Sequence, residues 1–426
     1  MSETAGRWDR RNYYLNILEG AAYTTGTSLI SAQTVLPVLV MRFGGGNLAV
    51  GTLGVITWAG TLVPQIFAAR YGQSLRWKKP WVLRLGSMQR LMVLFIAGIL
   101  LLPENQNSSL RLVLFLLFFA CNQLIVGVSS PIWYDFFAKL VPQKKRGRSV
   151  GFRSALGGIL SIGGTVFLTL ILTYYPFPVN LLIIFVTAFL FEASSLVLQS
   201  NMVEEHPSQV GERPSIRSYY YQLREILTLD THLRQFLFAT SFLVLATVPI
   251  AFYILYALKH FGLGESVIGE FTFMMVCGQI FGAIAIGYIA DHVSNKLALI
   301  ATAMSLFAAS LLAIFSPTVT WYRLVFYFLG LNLGSEVLIR YNFIAEYCPV
   351  ELRSVYIGLA NTILAPCYFV AILGGWISNM LGYGALFLIG ASCSVIGIIC
   401  LWFFVQEPKI RHSAPRPVQR VEEITS

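Results

Sequence analysis

The chain has 426 residues, of which 56% are hydrophobic and only 12% charged, with a formal net charge of +10. Soluble domains carry about a quarter charged residues, so this composition excludes a soluble enzyme or a soluble nucleic-acid-binding domain and fits a polytopic membrane protein.

Thirteen mostly polar residues open the chain, followed by an apolar run too long for a secretory h-region and without a cleavage signature, so the first segment is expected to be retained. Twelve apolar runs of about twenty residues follow in order: 14–40, 48–70, 82–102, 110–139, 151–174, 179–200, 235–259, 267–290, 297–316, 321–345, 355–380 and 383–405. They lack the polar alternation of barrel strands, and lipid leaves the backbone no other solution, so each is predicted to be a helix. Cys121, Cys277, Cys348, Cys367, Cys393 and Cys400 fall within these segments or at their ends without paired spacing, which reads as small core residues rather than a disulfide or metal framework.

The basic residues are distributed unevenly. With the amino terminus inside, the outward loops hold Arg42, Arg111, Lys259 and Arg323, while Arg7, Arg10, Arg11, Arg76, Lys78, Lys79 and the 139–153 cluster fall inside. This is the positive-inside distribution; it places both termini in the cytoplasm and sets the basic cluster beside anionic lipid rather than nucleic acid.

The chain also repeats. A shift of 207 lays Leu124, Gly127, Tyr134, Phe136, Ala138, Pro142, Arg146 and Gly151 on Leu331, Gly334, Tyr341, Phe343, Ala345, Pro349, Arg353 and Gly358. A shift of 218 lays Phe43-Gly44 on Phe261-Gly262 and Gly51 on Gly269. The expected organisation is a six-helix bundle over 1–200, a cytoplasmic linker over 201–233 with a short amphipathic helix near 216–228, a second six-helix bundle over 234–405, and a cytoplasmic tail over 406–426. Parallel halves with a solute between them are a transporter architecture.

On these residues the chain resembles the major facilitator superfamily over nearly its whole length. The loop "GYIADHVSNK", with Gly287, Asp291 and Lys296, is similar to that family's signature between helices 8 and 9. The corresponding loop of the first half keeps Arg76, Lys78 and Lys79 but has Ala69 and Gln73 in place of the glycine and aspartate. The P-x-x-x-R-x-x-x-x-G pattern at Pro142 and Pro349, with Arg146 and Arg353, is also similar. The resemblance implies twelve transmembrane helices in two pseudo-symmetric bundles and secondary transport by rocking the halves about a central site. It does not extend to a subfamily: the sugar-porter signature is missing, and helix 5 has Gly157, Gly158, Gly163 and Gly164 without the proline of drug–proton antiporters. It also implies that Asp291 braces the outward-facing state against the positive amino-terminal end of helix 5, near 148–151.

Candidate site residues follow from depth at about 1.5 Å per residue. The strong charges Glu19, Arg90, Asp135, Glu192, Glu336 and Arg340 fall in the cytoplasmic half, where they are expected to form an ion-pair layer that gates the halves, with direct solute or proton binding as the alternative. Glu336 and Arg340, four apart on one helix face, form a neutralised pair; if opening parted them, the carboxylate would be placed to exchange a proton. The mid-depth positions are neutral: Tyr23, Thr24, Asn122, Gln123, Thr247, Gln279, Asn332, Asn361 and Thr362, with Pro249 and Pro366 expected to break helices 7 and 11. Such a cavity suits an uncharged or amphipathic solute better than a dianion. The five histidines lie in loops, tails or at helix ends and no glycine-rich phosphate loop is present, so neither an enzyme nor an ATP-driven pump is expected; a transport-inactive receptor or assembly factor on the same scaffold is the competing reading. No cofactor or metal is expected. The expected partners are a small-molecule solute, protons as candidate coupling ion and the lipid bilayer, with the chain acting as a monomer.

Overall fold

The computed structural model describes residues 3–103, 108–208, 224–348 and 353–407, and these are helical without a strand. The first half comprises α1 (Glu3–Leu29), α2 (Val35–Arg42), α3 (Asn47–Gln73), α4 (Lys79–Ile99), α5 (Ser108–Leu140), α6 (Gln143–Tyr174) and α7 (Val179–Ser200). The second comprises α8 (Thr231–Leu245), α9 (Ile250–His260), α10 (Val267–His292), α11 (Asn295–Phe315), α12 (Val319–Tyr347), α13 (Arg353–Tyr368), α14 (Ala371–Met380) and α15 (Gly382–Phe404). The protein is an all-α polytopic membrane protein. Taken end to end, α1–α2, α8–α9 and α13–α14 are each one broken span.

Both expected proline breaks occur: Pro249 is the N-cap of α9, and Pro366 lies in the last turn of α13 before the turn at Phe369–Val370. The break between α1 and α2 has no proline. There the Ser31 hydroxyl accepts from the Gln33 amide at 3.2 Å, a local side-chain bond that competes with helix continuation.

Among the described residues, eleven segments are long and apolar enough to cross a membrane, one fewer than the sequence suggests. The missing one is α1–α2. Its polar residues Asn12, Asn16, Glu19 and Thr25 are buried, and α1 packs against α6 and α7, so this helix faces protein and needs no lipid-compatible surface.

The repeat is visible in the backbone. Gly44 and Gly262, which correspond at a shift of 218, both adopt left-handed φ (76° and 63°) where their spans end. Gly60 and Gly278 correspond in the same register, as Gly127 and Gly334 do at 207. A Cβ on Gly127 would strike the Thr61 carbonyl of α3, and one on Gly334 would strike the Gln279 carbonyl of α10. Equivalent helix pairs of the two halves, α3 with α5 and α10 with α12, are therefore in backbone contact, held by small residues.

The linker start belongs to the first half. Asn12 exchanges two hydrogen bonds of 2.9 Å with the Val203 backbone, and the buried Glu204 carboxylate accepts from the Lys78 and Lys79 amides at the start of α4 while pairing with Lys139 at 2.5 Å. A carboxylate on free amides at a helix start is favoured by hydrogen bonding and by the dipole together. The expected helix at 216–228 falls mostly outside the described residues, with helical turns at 224–229.

Candidate functional site

The two halves meet on the face opposite the amino terminus. There Arg42 pairs with Glu265 at 2.5 Å, Asn47 donates to Asn379 at 2.9 Å, Tyr383 donates to Asn47 at 3.1 Å, and the Thr34 and Thr272 hydroxyls lie 2.8 Å apart in a buried contact. Gly51 of α3 and Gly269 of α10, equivalent in the repeat, each cross the opposing half, at Ala371 and Thr169. Deeper, Trp58 stacks on Tyr368 with ring centroids 5.7 Å apart and Asn361 donates to Gln65 at 3.1 Å. Towards the amino-terminal face Phe152 of α6 and Ile284 and Tyr288 of α10 are exposed. The seam is thus closed on one face.

Behind that closure lies a cavity of about 460 Å³ between the halves. Tyr23, Thr24, Asn122, Gln123 and Gln279, all expected from depth alone, line it. Thr247 and Asn332 instead face smaller adjoining spaces, the latter donating to the Thr302 carbonyl at 3.1 Å. Asn361 bridges Gln65 and the Tyr341 hydroxyl, and Thr362 is exposed and bonded to the Gly358 carbonyl one turn back. The sequence reading missed Gln33 and Gln89 on the wall. Gln33 sits in the α1–α2 break, which hydropathy does not mark, and Gln89 donates to the Tyr23 hydroxyl at 2.9 Å beside the more conspicuous Arg90.

The charged residues do not form a layer joining the halves. Glu19 pairs with Arg153 at 2.8 Å, Lys78 with Asp135 at 3.4 Å and Glu336 with Arg340 at 3.3 Å, each within its own half. In this conformation, among the described residues, the ion pair that spans the halves is Arg42–Glu265, on the opposite face. The reason is geometric, since the seam is closed there and not where these acids lie. Arg153, read from sequence as part of a surface cluster, turns inward over the Trp133 ring at 4.5 Å, through space left by the missing Cβ of Gly20. Arg90 is buried and fully engaged: Nε donates to the Glu192 carbonyl at 2.7 Å, Nη1 to the Gly86 carbonyl at 2.9 Å and Nη2 to the Ser195 hydroxyl at 2.7 Å.

The motif residues serve the ends of helices. Arg146 donates to the carbonyls of Val141 and Ala138, satisfying the end of α5, and Lys296 donates to the Trp402 carbonyl near the end of α15 at 2.9 Å. Asp291 is exposed, and a Cβ on Gly147, Gly151 or Gly287 would meet nothing within 4 Å. Among the described residues, Asp291 makes no ion pair with the start of α6 in this conformation. The side chains of Ala69, Gln73 and Arg353 lie outside the described residues.

The Major Facilitator Superfamily profile matches residues 24–370. The chain belongs to this superfamily. It is similar to the niacin transporter of Acinetobacter baylyi, 26% identical over 177 residues, which is 41% of this chain and 39% of that one. It is also similar to the 4-hydroxybenzoate transporter of the same organism, 29% identical over 159 residues, 35% of this chain and 33% of that one. The chain thus matches well under half the length of these relatives. Among solved structures, a D-xylose–proton symporter superposes with a TM-score of 0.67 at 17% identity, covering 94% of this chain and 98% of that one. A nucleoside transporter superposes equally well at 11% identity, covering 93% and 99%. These superpositions establish the superfamily fold.

Proposed function

We propose that this protein is a secondary carrier that moves a small organic solute across a cytoplasmic membrane by alternating access between its two halves. The observation that carries this reading is the cavity of about 460 Å³ between the halves, with amides and hydroxyls on its wall and the seam sealed on the face opposite the amino terminus. A site at the interface of two repeats, reached from one side at a time, is what rocking of the halves requires. The volume suits a solute of one or two rings, and relatives are named for the single-ring solutes niacin and 4-hydroxybenzoate. Apart from Glu192, the described wall is neutral, which supports an uncharged or amphipathic solute.

In this reading the described conformation is inward-facing, with the termini in the cytoplasm. Uptake of labelled single-ring solutes into proteoliposomes tests the transport assignment. The expected result is saturable uptake of at least one solute, reduced about tenfold or more when Gln123 and Gln279 are both replaced by Leu. Uptake indifferent to that change would remove the cavity from the account. The orientation is checked separately in a cysteine-free background with single cysteines at Ser108 and Ser208. An impermeant thiol reagent on intact cells is expected to label position 108 and spare 208; the reverse pattern would invert the topology.

A further inference from the structure

The central cavity has one charged residue on its described wall, Glu192 of α7. The side chain is 1% exposed, its Oε2 is buried without a hydrogen-bond partner, and neither carboxylate oxygen accepts a hydrogen bond among the described residues. The nearest cation does not supply one. Arg90 directs its donors to the Glu192 backbone carbonyl, Gly86, Ser195 and Gln89, so it offsets charge at a distance while leaving the carboxylate oxygens bare. Gly26 of α1 makes the arrangement fit, because a Cβ there would lie 2.8 Å from the Glu192 Cγ. Buried carboxylates are ordinarily hydrogen-bonded or paired, and here the missing donor has room to come from the cavity. Around it stand the rings of Tyr23, Phe119 and Phe185, and the described cavity wall carries no lysine or arginine, Arg90 lying behind that wall.

We infer that Glu192 selects solutes carrying a protonated nitrogen: the site takes small ring-bearing organic cations, the ammonium donating to Glu192 and the ring packing among the aromatics. This inference rests on the proposal that the central cavity is the solute site. It also separates this chain from relatives named for niacin and 4-hydroxybenzoate, whose carboxylates would meet an acid and no base on this wall.

Three pyridines of nearly equal size test it: 3-(aminomethyl)pyridine, cationic at neutral pH; nicotinamide, neutral; and niacin, anionic. Binding to the purified full chain is measured by calorimetry and thermal shift, and uptake in proteoliposomes is measured in parallel. The wild type is expected to bind the amine about tenfold or more tighter than niacin, a difference of roughly 1.4 kcal/mol or more, with nicotinamide between them. Glu192→Gln is expected to erase that preference while keeping nicotinamide binding, which shows that the variant is folded. Gly26→Ala, which crowds the carboxylate from the neighbouring helix, is expected to weaken the amine selectively. Failure of the wild type to bind the amine, or an unchanged preference in Glu192→Gln, overturns the inference. So does loss in Glu192→Gln of pH-gradient-driven nicotinamide uptake with the preference intact, since the carboxylate would then serve a proton. Tight amine binding without uptake of any probe would instead defeat the carrier proposal and leave the selectivity standing.

Discussion

Valine at Gly334 is expected to deprive the protein of most of its stability margin. α10 and α12 touch backbone to backbone through Gly278 and Gly282 on one helix and Gly330 and Gly334 on the other. A Cβ at Gly334 would strike the Gln279 carbonyl, one at Gly330 the Met275 carbonyl, and one at Gly278 the Tyr327 carbonyl. A side chain in the way can turn aside, but a helix carbonyl cannot without moving the helix. Overpacking costs about 1–3 kcal/mol and more where the backbone must shift, so Gly334→Val belongs at or above the top of that range. We expect purified Gly334→Val to unfold about 5 °C or more below the wild type, with a lower monodisperse yield. The consequence reaches the site, because Gln279, against which Gly334 packs, lines the cavity. Gly163→Val is the control: nothing lies within 4 Å of its Cβ position, and its melting temperature should stay near that of the wild type. Equal losses at the two positions would contradict backbone contact at the α10–α12 seam.

The second large effect is expected at Arg340. This side chain is 1% exposed, 3.3 Å from Glu336, and within hydrogen-bonding reach of Tyr368, which in turn stacks on Trp58 of the other half. Glu336 borders a narrow space near Trp58 rather than the central cavity. Removing one member of a buried ion pair strands the other and costs about 3–5 kcal/mol, less where the stranded group is partly exposed as Glu336 is, whereas replacing both with apolar or neutral groups is often nearly neutral. Arg340→Met is therefore expected to express poorly, and Glu336→Gln/Arg340→Met to recover most of the loss. Glu336→Gln alone is expected to reduce pH-gradient-driven transport and downhill counterflow together, as a structural pair at the seam would. Loss of gradient-driven transport with counterflow retained would move proton coupling to Glu336. A double variant as unstable as Arg340→Met would show that packing rather than the stranded charge dominates.

Much of this architecture was legible because repeats and prolines leave marks in sequence. The 218-residue register placed Gly44 on Gly262, and both carry left-handed backbone at the end of a broken span. Pro249 and Pro366 announced the breaks in the second half. The break in the first span was silent, because a serine hydroxyl turning back on its own backbone makes it. Depth along a helix was also legible, and it put Tyr23, Asn122, Gln123 and Gln279 at the height of the cavity. Direction around the helix was not. Thr362 has the right depth and points away, and Thr247 and Asn332 face smaller spaces, because rotation is fixed by which neighbour packs where. Glu19 and Arg153 illustrate the same limit. They lie 134 residues apart, and nothing in the basic run before Arg153 shows that α6 turns this one member towards α1.

Alternating access itself is tested most directly at the sealed face. Asn47 of α3 and Asn379 of α14 touch across the seam at 2.9 Å, beside the close crossing at Gly375. With the six native cysteines replaced by serine, Asn47→Cys/Asn379→Cys is joined by a short bis-methanethiosulfonate linker, and uptake is measured before linking, after linking and after reduction. The halves must part at this point in every cycle, so linking is expected to abolish uptake and reduction to restore it, with each single variant unaffected by the reagent. Full uptake through a protein linked at this position would contradict a carrier that opens there.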